Sequence, residues 1–208
     1  MLDAILKNKV KSTEDILTSC VFNTLETIPW DVGLIPWFQK AKNLALESLE
    51  VPESEEISIH YWPNEKLDTG RCQPDLIIEL AGNRIIVEVK WNAPLSDYEV
   101  ETDEGQGSNQ LTQQRAIFGA DEKLKIQLLI TPDSVMPRKV MEDAITTANP
   151  GLKDDLYWVS FRTLLPVTHP DNKILDKLTE YFDHIGFLSF TGFYIPKHKC
   201  APDWTFTS

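Results

Sequence analysis

The stretch RCQPDLIIELAGNRIIVEVK, residues 71–90, constrains this chain more than any other. Two apolar runs flank a Gly-Asn pair, and both are rich in Ile and Val, which suit a pleated, half-buried surface. Gly82-Asn83 between Ala81 and Arg84 fits a two-residue hairpin turn, because Gly at the first central position accepts a positive φ. That turn predicts a register: Ala81 opposite Arg84, Glu79 opposite Ile86, Ile77 opposite Glu88, and Asp75 opposite Lys90. Side chains alternate between faces. One face then carries Leu76, Ile78, Leu80, Ile85, Val87 and Val89, and belongs to the core. The other carries Asp75, Ile77, Glu79, Ile86, Glu88 and Lys90.

Three charges therefore share one end of one face. Directly opposed residues sit about 5 Å apart and diagonal ones about 7–8 Å, a spacing at which a divalent cation can bridge Asp75 and Glu88. Two readings stand side by side. A solvated antiparallel face can carry an ordinary Asp–Lys pair. Ile77 and Ile86 on the same face point instead to partial cover, and two carboxylates with a lysine at a covered edge look like a site.

The rest of the chain reads as alternating helices and strands. Ser12 can cap a helix whose apolar positions run Ile16/Leu17, Cys20/Val21, Leu25 and Ile28, with Pro29 as its stop. A second helix is predicted from Pro36, with Trp37, Phe38, Ala41, Leu44, Ala45 and Leu49 as its buried stripe. Residues 57–62 alternate as a strand. Residues 95–108 form an acidic, glycine-containing loop with Asp97, Glu99, Glu101, Asp103 and Glu104. A helix over 109–120, a strand over 125–131, a helix over 137–148, a strand over 156–160 and a helix over 171–184 follow. This order predicts one α/β domain over 1–208, a sandwich of helices around a mixed sheet. Its core runs over about 12–190, with an aromatic tail at 187–208.

The spelling of the hairpin adds to this. Pro74-Asp75 at the start of one strand, a dozen residues, then Glu88-Val89-Lys90 in the next resembles the PD-(D/E)xK nuclease superfamily, the restriction-endonuclease-like fold. The flanking order of helix, hairpin, helix and strand agrees over residues 12 to 131. The resemblance implies an α/β/α sandwich with a central mixed sheet, and a Mg²⁺- or Mn²⁺-dependent nuclease hydrolysing phosphodiester bonds, with DNA as the expected substrate. It implies Asp75 and Glu88 as metal ligands, helped by the Val89 carbonyl, with Lys90 orienting or activating the attacking water. A partly buried lysine is expected to have a lowered pKa. Many members add an acid from the first helix; Glu14 is the candidate here, although an acid at that position also simply favours a helix N-terminus. Glu26 is the second choice. Of Gln110, Gln113 and Gln114, which share a helix face, Gln110 is the candidate for the site. Gln114 stands where some relatives carry a tyrosine.

Charge complicates the picture. The chain has 32 Asp and Glu against 20 Lys and Arg, a net charge of -12. Nucleic-acid binders usually present a basic surface, so affinity for DNA is expected to be weak unaided, with a homodimer or protein partner as possible support. The basic groups at Lys7-Lys9-Lys11 and Lys197-His198-Lys199 read as solvated termini. The alternative function is a non-catalytic nuclease-fold interaction protein whose acidic surface docks a partner. The 4 histidines show no zinc spacing, and the 3 cysteines are too few for a disulfide framework. Apolar runs fall short of a membrane span, and the first residues lack the apolar stretch of a secretion leader. A cytoplasmic location without membrane contact is expected.

Overall fold

A computed structural model of the chain describes residues 14–52, 54, 56–67, 70–91, 97–98, 108–119, 122, 124–145, 152–164 and 173–186. Six α-helices, one 3-10 turn (Phe161–Thr163) and nine strands are described. The helices are α1 (Glu14–Leu25), α2 (Leu34–Phe38), α3 (Gln110–Arg115), α4 (Arg138–Ile145), α5 (Leu152–Asp155) and α6 (Lys173–His184). The strands are β1 (Ile57–Tyr61), β2 (Glu65–Leu67), β3 (Gly70–Cys72), β4 (Leu76–Leu80), β5 (Asn83–Val89), β6 (Asp97–Tyr98), β7 (Ser108–Asn109), β8 (Lys125–Thr131) and β9 (Leu156–Ser160).

Five strands form the central sheet, in the order β1-β4-β5-β8-β9. The pairs β1/β4 and β4/β5 are antiparallel, and β5/β8 and β8/β9 are parallel. The sheet is mixed, as expected, and the protein is α/β. The parallel half is buried on both faces, which is why β8 reads as an almost unbroken apolar run.

Packing follows the alternation. Leu76, Ile78, Leu80, Ile85, Val87 and Val89 share one core with Leu17, Val21 and Leu25 of α1, Trp37 and Phe38 of α2, and Leu178 and Phe182 of α6. On the opposite face, Leu129 meets Leu111 of α3, Met141 and Ala144 of α4, and Leu152 of α5. Ile77 and Ile86 pack with Cys72, Ile117 and Phe118. Thr18 and Thr24 are buried in α1 at little cost, because each hydroxyl donates to the carbonyl four residues earlier.

Several expectations need correction. The turn of the β4–β5 hairpin is Ala81-Gly82, with φ of 49° and 72°, the two positive values of a primed hairpin turn. Leu80 therefore pairs with Asn83 and Ile77 with Ile86. The register slips by two residues from the predicted one, which keeps every side chain on its expected face. Continued past the last paired residues, it sets Asp75 against Glu88 rather than Lys90. The second helix starts at Leu34 and stops at Phe38. Asn43 ends the pattern by accepting from the Glu47 N–H (2.9 Å), and Lys42 instead pairs with Trp158 at the edge of β9. The helix expected over 109–120 ends at Arg115. The β2–β3 ribbon and α5 are additions. Ser12, the acids at 99–104 and the tail at 187–208 lie outside the described residues.

Ala81 has a Cβ in a left-handed conformation that costs roughly 1–2 kcal/mol in L-residues other than Gly, Asn and Asp. Ala81→Asn is expected to stabilise the protein by about 0.5–1 kcal/mol, seen as a higher urea midpoint at unchanged m-value.

Candidate functional site

The predicted charges converge where β5 leaves the sheet. Glu88 is the penultimate residue of β5, and its side chain is 1% exposed. Its Oε1 lies 2.6 Å from Lys90 Nζ and finds no further donor. Its Oε2 accepts from Gln114 Nε2 at 2.5 Å. Lys90 stands just beyond the strand, where its backbone N–H donates to Ile130 O of β8 (2.9 Å). Its ammonium also sits 3.6 Å from Glu14 Oε1. Glu14, in the first turn of α1, is held from the other side by the Trp91 N–H, which donates to Oε2 at 2.7 Å.

Asp75 precedes β4. Its Oδ2 accepts the Val89 N–H at 2.7 Å, so the carboxylate closes the hairpin where backbone pairing ends. Its carbonyl accepts the Trp62 N–H (2.9 Å). The structure thus gathers Asp75, Glu88, Val89, Lys90 and Glu14 at one end of the central strand β5.

The other candidates lie elsewhere. Glu26 is exposed and accepts from the Tyr61 hydroxyl (2.8 Å). Gln110 has no hydrogen bond to any of these groups, and its Oε1 is buried and unpaired. Its neighbour Gln114 supplies the amide at the site instead. Gln114 lies one helical turn further along α3, and its Oε1 accepts from Gln127 Nε2 of β8 (3.1 Å). The same nitrogen donates to Leu111 O (2.9 Å). Glu88, Gln114 and Gln127 are all fully buried, so a polar chain crosses between the sheet and α3. Gln127 carries a sequence signal: it is the one polar residue inside the run IQLLI, where a buried strand would otherwise be apolar. Cys72 is a further neighbour. Its thiol is pushed up to about 11 by burial, then by Glu88 and Glu65, which keeps it protonated and inert.

Burial decides the electrostatics. It pushes the Asp75 carboxyl up to about 7, with the Glu88 charge adding to the rise and the Val89 N–H and Lys90 opposing it. Burial likewise raises Glu88, against the pull of Lys90 and Gln114. For Lys90, burial works to lower the pKa, but Glu88, Glu14 and Asp75 outweigh it, and the net shift is upward. The expected lowering is therefore corrected: with three carboxylates around it, the ammonium stays charged.

Two desolvated carboxylates that repel one another, with Glu88 Oε1 short of donors, form an environment that a hard cation relieves. Among the described residues no group of three or more His, Cys, Asp or Glu side chains is placed to hold a metal. A closed structural metal cage is therefore absent among them, while a Mg²⁺-type site, which keeps several waters and uses one or two carboxylates, suits this donor set.

Two outcomes are expected. A raised carboxyl pKa means that the folded state holds a proton the unfolded state has released, so stability falls as pH rises from the ordinary value towards the folded one. The metal-free protein should lose urea resistance from about pH 4 to about pH 7, and Asp75→Asn should flatten that fall. Gln127→Leu strips the donor from Gln114 Oε1 and the Leu111 carbonyl, and should cost about 1–3 kcal/mol in the same assay.

In comparison with known proteins, no family model, no curated protein and no solved structure matches this chain.

Proposed function

We propose that the protein is a metal-dependent nuclease of the restriction-endonuclease-like kind, hydrolysing phosphodiester bonds in DNA. The observation that carries this reading is the meeting of Asp75 and Glu88, both short of solvent, with a charged lysine between Glu88 and Glu14. A site that buries this much like charge is costly to stability, and catalysis or ion binding is the usual reason for such a cost. The five-stranded mixed sheet with apolar cores on both faces supports the same reading.

On this reading Asp75, Glu88 and the Val89 carbonyl would hold Mg²⁺ or Mn²⁺. When bound, the cation neutralises non-bridging phosphate oxygens and lowers the pKa of a coordinated water. The side chains do the rest. The Val89 N–H fixes one Asp75 oxygen, Oδ2. Gln114, braced by Gln127, fixes the Glu88 carboxylate. Lys90 keeps its proton, so it suits charge stabilisation of the attacked phosphate and orientation of water better than proton abstraction. Glu14 anchors the ammonium from the helix side. Asp75 takes part in cation binding only when ionised, so activity should rise with pH through the neutral range.

The test is cleavage of plasmid and single-stranded DNA in Mg²⁺ or Mn²⁺ by wild type, Lys90→Ala and Asp75→Ala, with the melting temperature of each recorded with and without metal. Wild type should cut and gain thermal stability from metal. Both variants should lose about 10²- to 10⁴-fold in rate, and Asp75→Ala should lose the metal-dependent rise in melting temperature. A wild type that neither cuts nor responds to metal sinks the proposal.

A further inference from the structure

The β2–β3 ribbon was not foreseen, and it leads directly into Asp75. Glu65 pairs with Cys72, Lys66 with Arg71 and Leu67 with Gly70. Directly opposed residues point to the same side of an antiparallel pair, so the ribbon has two unlike faces. Leu67 and Cys72 pack against Ile77, Ile86, Ile117 and Phe118. Lys66 and Arg71 stand together on the exposed face.

Two like charges directly opposite one another are destabilising in a sheet. In a chain with 32 acidic residues, both could have been neutralised nearby. Neither Lys66 nor Arg71 has an ion-pair or hydrogen-bond partner among the described residues. The ribbon is also tied to the site. Trp62, which bends the chain into it with φ of 46°, donates its N–H to Asp75 O (2.9 Å) and accepts from Gln73 Nε2 (3.0 Å). Arg71 stands four positions before Asp75, a span of at most about 14 Å. At one phosphate per roughly 3.4 Å of each strand, that is within about four phosphates of a bond held at Asp75.

We propose that Lys66 and Arg71 form a two-pronged clamp on the DNA backbone, positioning the strand whose phosphodiester reaches Asp75 and Glu88. The inference rests on the nuclease reading for its ligand. It explains how an acidic chain grips a polyanion: a small basic face, without an ion-pair partner among the described residues, lies close in sequence to the site, while the bulk charge stays negative. Arg71 supplies a planar fork and Lys66 a point charge, both ordinary phosphate contacts.

The experiment measures binding of a fluorescein-labelled duplex DNA by anisotropy, in Ca²⁺ and over a range of salt. It compares the full chain with Lys66→Ala/Arg71→Ala and with Lys139→Ala/Lys153→Ala, which removes equal charge from exposed positions on α4 and α5. The ribbon variant should bind about tenfold or more weakly, and its log–log salt slope should be shallower by about 2, near 0.9 per lost phosphate contact. The control pair should stay near wild type. In cleavage, KM should rise with kcat kept, the pattern of lost uniform binding. Unchanged affinity and slope in the ribbon variant overturn the clamp and leave the face to an acidic protein partner. Equal losses in the control pair, or a wild type with no affinity for DNA, overturn it as well. Failure of the nuclease reading shows separately, as a wild type without metal response whose DNA affinity still depends on the ribbon.

Discussion

The Glu88 carboxylate, buried in the middle layer of the protein, sets the terms for everything around it. A charge there needs partners on every side. Lys90 answers one oxygen and Gln114 the other. Gln114 in turn needs Gln127, and Lys90 needs Glu14, whose far oxygen needs the Trp91 N–H. The chain of dependence runs from β8 through α3 and β5 to the start of α1. Removing one member leaves the next unpaired, so the network behaves as a unit rather than as a sum of bonds.

Much of this was legible in the sequence because side-chain parity is robust. The hairpin register was misplaced by two residues, yet every residue of β4 and β5 stayed on its face. The set Asp75, Glu88 and Lys90 survived for that reason, while the pairing of Asp75 with Lys90 did not. A slip of one would have destroyed the reading. The turn itself was misjudged because Ala81 is a poor residue for a left-handed conformation, and local chemistry favoured Gly82-Asn83. β8 and β9 match the expected bounds to the residue; β8, between two parallel neighbours, announces itself as an apolar run.

Other features were hidden for definable reasons. Residues 36–49 carry a helical stripe, but Asn43 and the bridge from Lys42 to Trp158 override it with contacts distant in sequence. The choice between Gln110 and Gln114 depends on the rotation of α3 about its own axis. Periodicity places both on one face and says nothing of which reaches the sheet. The β2–β3 ribbon is only three residues on each side, too short for alternation to register.

The small β6–β7 pair holds one more consequence. Asp97 opposes Asn109 and Tyr98 opposes Ser108, so the chain leaves and returns at adjacent points, about 4.8 Å apart by strand spacing. The excursion between them begins and ends beside each other, just ahead of the helix that carries Gln114. Closing a longer loop over such a gap costs little, about 0.6 kcal/mol for each doubling of length. The pair fixes the points where the chain departs at Tyr98 and rejoins at Ser108. By chain entropy alone, a longer connection between those two points adds little to the cost of holding the strands that carry Glu88 and Gln127 together.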